Sequence, residues 1–262
     1  MNVEYIINEE HSVASNIIYK KDATRTHHHL WSMLISKNRI DNVFENLYYE
    51  ITKIAKESLA GVLYYQREAM MPIKALYENS EIIDFFPLVP SQEKTSLSIE
   101  KIIEWSHKDE FEAEIEVINK SGCSITFFAT DYLENYRLYE LGGEQNIYLS
   151  AIAQSVVRPL EVEKNYVALF GDLKEIDYLL KSYHKDKAFH AIFMGRVLAI
   201  QDFTFKNEPL KLLKVKVRIK GTKSEFFVLP VVVHKNHIKI EKLDVGDIIE
   251  GKVFLQGRVI SD

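Results

Sequence analysis

A single cysteine, Cys123, stands among the 262 residues of the chain. No internal disulfide can therefore form, and a reducing, cytoplasmic setting is the expectation. Proline (6) and glycine (10) are also scarce, which excludes a long flexible linker or a low-complexity tract. Hydrophobic runs are short. The longest, FFVLPVVV at 226–233, falls well below the ~20 residues that cross a bilayer as a helix. The stretch MNVEYIINEEHSVASNIIYKK lacks the basic-then-apolar pattern of a leader, so no membrane partner is expected. GxSxG, the glycine-rich phosphate loop, HExxH and CxxC are missing as well. No catalytic residue and no cofactor are assigned on this basis.

What remains is an ordinary globular composition, 47% hydrophobic and 27% charged, with length enough for two domains. The net charge of −5 conceals an asymmetry. Residues 176–262 hold 16 Lys and Arg against 10 Asp and Glu, whereas the rest of the chain holds 17 against 28. Fields of opposite sign at the two ends suit a charged partner, or two parts that dock on each other.

Along the chain, residues 39–60 place Ile40, Val43, Phe44, Leu47, Tyr48, Ile51, Ile54 and Ala55 at helical spacing, and Gly61 follows as a stop. A second helix is expected from Gln66 to Tyr77, with Pro72 as its start or kink. DFFPLVPSQ (84–92) reads as an extended connector and as the boundary of an N-terminal region, 1–92. Beyond it the texture is β-rich and repetitive. HKDEFEAEIEVI begins at His107 and HKDKAFHAIFMGRVL at His184. In each unit a helix (SIEKIIEWSHKD, then DLKEIDYLLKSYHKD) is expected to end at the HKD and hand over to strands. Phe127-Phe128 then fall on Phe226-Phe227, Gly143 on Gly246, Gln154 on Gln256 and Val157 on Val259. The two histidines, His107 and His184, sit where a helix C-terminus favours an imidazolium. The fold expected is α+β. An N-terminal helical region precedes two tandem β-barrel units, 93–160 (acidic) and 161–262 (basic), each led by a short helix.

LDVGDIIEGKVFLQGRV, a tight glycine turn before a long final strand, resembles the closing portion of OB-fold barrels. The resemblance covers 110–158 and 188–260 at the level of fold and implies small β-barrels. It departs from the usual pattern in placing the helix ahead of the first strand.

The candidate chemistry follows from spacing. LLKVKVRIK alternates Leu213, Val215, Val217 and Ile219 with Lys214, Lys216, Arg218 and Lys220. A strand thus aligns four cations about 7 Å apart, a spacing that can track phosphates. Phe203 and Phe205, in the preceding QDFTFKN loop, are candidates for stacking on bases. Lysines on an edge strand also prevent aggregation, which is the competing explanation. Glu112, Glu114 and Glu116 alternate onto what reads as the solvated face of a strand. The cluster THHHL and the pair His234 and His237 are weak metal candidates, because adjacent side chains such as His27, His28 and His29 diverge and no third ligand accompanies them. Three functions compete. The first is a non-catalytic protein whose basic second barrel binds single-stranded nucleic acid. The second is a protein-binding adaptor, inhibitor or immunity-type protein, or a homodimer, using Tyr48, Tyr49, Tyr64, Tyr65, Tyr77, Phe85 and Phe86. The third is a metal-dependent hydrolase using the His27–His29 region.

Overall fold

Apolar spacing first organises an N-terminal layer. The computed structural model describes residues 17–20, 26–55, 60–65, 70–78, 81–107, 110–118, 124–159, 179–182, 190–219 and 226–259. Strand β1 (Ile17–Lys20) is followed by α1 (Thr26–Leu34) and α2 (Ile40–Ala55). Ile40, Val43, Leu47 and Ile51 form one buried stripe of α2, and Asp41 and Lys53 complement its dipole at the two ends. Strands β2 (Ala60–Tyr65), β3 (Ile73–Glu78) and β4 (Glu81–Pro87) then form an antiparallel three-stranded sheet. The stretch expected to be a helix over 66–77 therefore holds a strand from Ile73. Pro72 precedes that strand, where its missing N–H costs no ladder bond. The expected connector at 84–92 begins as the end of β4.

The rest of the chain is mostly β. Its strands are β5 (Lys94–His107), β6 (Glu110–Ile118), β7 (Ser124–Ala129), β8 (Glu144–Val157), β9 (Leu179–Ser182), β10 (His190–Phe205), β11 (Glu208–Ile219), β12 (Phe227–His234) and β13 (Ile248–Val259). A one-turn helix, α3 (Tyr132–Asn135), and two 3-10 turns (Tyr136–Leu138 and Lys235–His237) lie between strands. The pairings close two five-stranded rings. One runs β5–β6–β7–β13–β8 and back to β5; the other runs β10–β11–β12–β8–β13 and back to β10. Each ring has one parallel contact, β7 with β13 and β12 with β8. The pair β8–β13 is common to both. β8 meets β5 at Glu144–Tyr148 and β12 at Ala151–Ala153, while β13 meets β10 at Ile248–Phe254 and β7 at Gln256–Gly257. Each ring thus takes one strand from the other half of the chain.

Two local features recur in the two halves of the chain. A bulge interrupts β5 between Ile99 and Lys101, and another interrupts β10 between Val197 and Ala199. Gly142, at φ 76°, donates its N–H to Ile99 O at 2.8 Å, and Gly246, at φ 98°, donates to Val197 O at 2.8 Å. The turn glycine that matches Gly246 is therefore Gly142, where the sequence alignment had placed Gly143. His107 ends a strand of the first ring, and 184–186 lie outside the described residues.

The helix expected ahead of the first unit is β5 instead. Ile99, Ile102 and Ile103 fall at i, i+3 and i+4, which reads as helical. The bulge resets the alternation, so that Ile99 and Ile102 both become buried from a strand. The corresponding expectation at 172–178 lies outside the described residues.

Because the rings share a strand pair, their interiors form one continuous core. Gly251 and Gly257 on β13 serve one ring each. A Cβ on Gly251 would strike Phe193, and one on Gly257 would strike Phe127. A second core lies outside the rings, where Phe128, Ile152, Phe205, Leu210, Val232 and Phe254 meet the N-terminal layer. Trp31 of α1 is fully buried there. Its Nε1–H donates to Phe85 O at 3.1 Å, and its ring stacks on Phe205 at 5.9 Å. Charge fastens the same contact. Glu208 accepts from Ser36 Oγ (2.7 Å), pairs with Arg39 (2.7 Å) and meets His234 Nε2 (3.0 Å). At the tip of the β10–β11 hairpin, Lys206 pairs with Glu50 at 2.9 Å and gives its carbonyl to Arg39 at 3.0 Å.

Candidate nucleic-acid interface

Strand β11 delivers the alternation that its sequence demands. Leu213, Val215, Val217 and Ile219 are buried inside the second ring, while Lys214 is exposed and Lys216 and Arg218 are half-buried on the outer side. Lys220 lies outside the described residues. Lys216 sits between Arg196 of β10 and Val228 of β12, so Arg196 joins the row as an exposed cation. Between Leu212 and Arg218 no outward position of β11 is acidic. Glu93 borders the patch, its carboxylate accepting the Val228 N–H at 2.9 Å.

The aromatic partner is not the one expected. Phe203 and Phe205 lie in β10 itself and not in a loop. Phe203 is half-buried against the outer core, and Phe205 is 2% exposed beneath Trp31. Burial leaves Phe205 no surface for a base. Phe226, just ahead of β12 and 44% exposed, stands beside the row, with Lys216 Nζ 4.5 Å and Arg218 Cζ 5.5 Å from its ring centroid. The doublet Phe226-Phe227 carried the signal. Alternation turns Phe227 inward (8% exposed) and leaves its neighbour facing out. Two cations held over a partly exposed ring place positive charge and an aromatic surface side by side, the pairing that single-stranded nucleic-acid sites use.

The other candidates are absorbed by structure. Glu114, expected on a solvated face, is fully buried, because the outer side of β6 and β7 is covered here; its cross-strand neighbour Phe128 packs on Phe86 and Phe254. Glu116 is half-buried, and the side chain of Glu112 is outside the described residues. His27, His28 and His29 lie in α1, and their side chains are outside the described residues. His234 is buried, and both its nitrogens are engaged, Nε2 by Glu208 and Nδ1 by the Asn236 N–H at 3.1 Å. No lone pair remains for a metal. His237 lies 5.6 Å away ring to ring; burial first, then the neighbouring His234, holds its pKa below the ordinary value. Among the described residues no group of three or more His, Cys, Asp or Glu is placed to hold a metal ion. Cys123 lies outside them.

Two buried polar clusters remain. Burial pushes the Glu208 carboxyl up, but Ser36, His234 and Arg39 together hold it below the usual glutamate value. Under α3, burial raises the Asp131 carboxyl against the pull of Tyr139 and Asn135, and burial with the Asp131 charge drives the Tyr139 hydroxyl well above its ordinary range. Lys74, 2% exposed, is satisfied by Thr130 O and by Glu134 at 2.6 Å. Both clusters are closed by their own partners.

Of the N-terminal aromatics, Phe85 and Phe86 are core, while Tyr48 (42%) and Tyr49 (61%) are exposed on α2. Tyr64, Tyr65 and Tyr77 lie in β2 and β3. No helix among the described residues is long and apolar enough to cross a membrane.

Comparison with known proteins leaves the site to its own geometry. No family model matches the chain, and no curated protein does. Among solved structures the chain is similar to ModG, described as a cytoplasmic molybdate-binding protein with a cooperative binding mechanism. The likeness has 14% identity and a TM-score of 0.32, over 64% of this chain and 96% of that one. A likeness this distant lends the present chain neither a ligand nor a mechanism.

Proposed function

We propose that this is a non-catalytic binding protein. It comprises two OB-like units, 93–160 and 161–262, interlocked through β8 and β13 behind the N-terminal region 1–92. We assign its ligand face to the outer side of β11 and β12, which binds single-stranded nucleic acid. OB-folds bind oligonucleotides on the face of their second and third strands, and β11 and β12 are the second and third strands of their ring. The observation that carries the reading is a partly exposed Phe226 with Lys216 and Arg218 over its ring, beside Lys214 and Arg196. The matching face of the first ring does not compete, because Glu114 and Phe128 lie under cover there.

The test is fluorescence anisotropy of labelled single-stranded DNA and RNA with the intact protein, at low and moderate salt. Binding should weaken steeply with salt, through counterion release. The triple variant Lys214→Glu, Lys216→Glu, Arg218→Glu should abolish it, and Phe226→Ala should cost about 1–3 kcal/mol if one base stacks there. No binding at low salt would return the lysines to edge protection. A protein partner is the second reading, favoured by Tyr48 and Tyr49 side by side on α2. A complex that survives moderate salt and is lost in Tyr48→Ser, Tyr49→Ser would support it.

A further inference from the structure

The outer side of the shared β8–β13 pair holds a cleft of about 260 Å³ that has no part in the basic row. Its floor is set by register. Tyr148 opposes Arg258 and Ser150 opposes Gln256 across the two strands, so all four side chains emerge on one side. Its roof is the segment from Leu88 to Ser91, which Gln256 ties down. The Gln256 amide accepts the Val89 N–H at 3.2 Å and donates to Pro87 O at 2.7 Å. Gln256 is 1% exposed, and its bonds hold the roof in one place over the floor.

The lining divides into two kinds of chemistry. Pro72, Leu88, Val89 and Pro90 are apolar. At the other end Arg258 lies over the Tyr148 ring, with its Cζ 5.4 Å from the centroid, and donates one long bond to Ser91 O at 3.4 Å. A guanidinium carries five N–H donors, so most of its capacity is unspent. Ser150 is 4% exposed on the cleft floor, and its hydroxyl makes no hydrogen bond with the described residues. Ser91 offers a second hydroxyl whose own contact, to Glu93 O, is 3.4 Å. Spare donors from two hydroxyls and one cation thus converge beside an apolar roof.

We infer that this cleft is a binding site for a small monocarboxylate with an apolar body. One cation at the mouth of the cleft matches one negative charge, and the planar fork of Arg258 matches a carboxylate in geometry. The proline and leucine surface favours a hydrocarbon body over a fully hydrated oxyanion such as phosphate. The volume lies just under the ~300 Å³ at which drug-sized sites begin, which sets the ligand near a benzoate in scale. This site does not rest on the nucleic-acid reading, since the two share no residue.

The experiment is saturation-transfer NMR with isothermal titration of the intact protein against benzoate, benzyl alcohol and inorganic phosphate. Benzoate should bind at least tenfold more tightly than either of the others. Arg258→Gln should weaken benzoate tenfold or more, and Ser150→Ala several-fold, with circular dichroism unchanged in both. Ser150→Ala removes only a hydroxyl with no partner, so it keeps the test open if Arg258→Gln disturbs the roof. Equal affinity for benzoate and benzyl alcohol, tighter binding of phosphate, absence of binding, or benzoate affinity indifferent to both variants would each overturn the assignment.

Discussion

Glu208 shows how much a single residue can hold. It carries the contacts of Ser36, Arg39 and His234 at the seam between the N-terminal layer and the rings, and it is 2% exposed. Removing one member of a buried charge cluster strands the others, so Glu208→Ala should cost about 3–5 kcal/mol by denaturant unfolding. The pH dependence follows from the lowered carboxyl. Its stabilising contribution is complete above the unfolded value of 4.5 and is lost as pH falls through the folded one. Glu208→Gln should therefore be less stable than the wild type at pH 7, and the gap should close on acidification below 4.5; a gap that widens would contradict the assignment. Gly257 makes the complementary point by lacking a side chain. An alanine there must displace the Phe127 ring, and about 1–3 kcal/mol of overpacking is the expected loss in thermal unfolding. The sequence marks neither residue. Glu208 and Gly257 look like a surface acid and a turn former until the chain is folded around them.

At the scale of elements, legibility depended on whether a local period survived. The stripe of α2 and the alternation of β11 are regular, and both were readable as helix and strand from spacing alone. β5 was not, because a bulge converts period two into a pattern with helical offsets at Ile99, Ile102 and Ile103. The β10–β11 hairpin was obscured in another way. Its two-residue loop places Lys206 at φ 48° and Asn207 at φ 65°, a mirror-type turn without the glycine that usually announces it. Contacts of the tip with Glu50 and Arg39 compensate for that choice. Asn207→Val should destabilise by about 1–2 kcal/mol, since a β-branched residue resists the left-handed region. Asn207→Gly should be neutral or stabilising, and the two melting curves would check both. The loop expected at QDFTFKN was the same error seen from the sequence side. Without the turn, Phe203 and Phe205 seemed free to stack on a ligand.

The whole molecule is governed by the exchange of β8 and β13. Each ring closes only with a strand from the other half, through two short parallel contacts. Cutting the chain within 160–178 should therefore give two fragments that are poorly folded alone, by circular dichroism and hydrogen exchange, and that regain the native signal when mixed. Fragments with full native stability on their own would show that the rings can close without exchange. What the sequence by itself determined is everything that depends on neighbours within a few residues. This includes the amphipathic helix α2, the basic outward row of β11 and its inward apolar positions. Tertiary structure alone decided which outward positions stayed open. The N-terminal layer buries Phe205 and His234 while leaving Phe226, Lys214 and the Arg258 cleft accessible. The physical reason is that alternation sets the direction of a side chain, whereas its exposure depends on what packs over it, and that partner is supplied by residues far away along the chain.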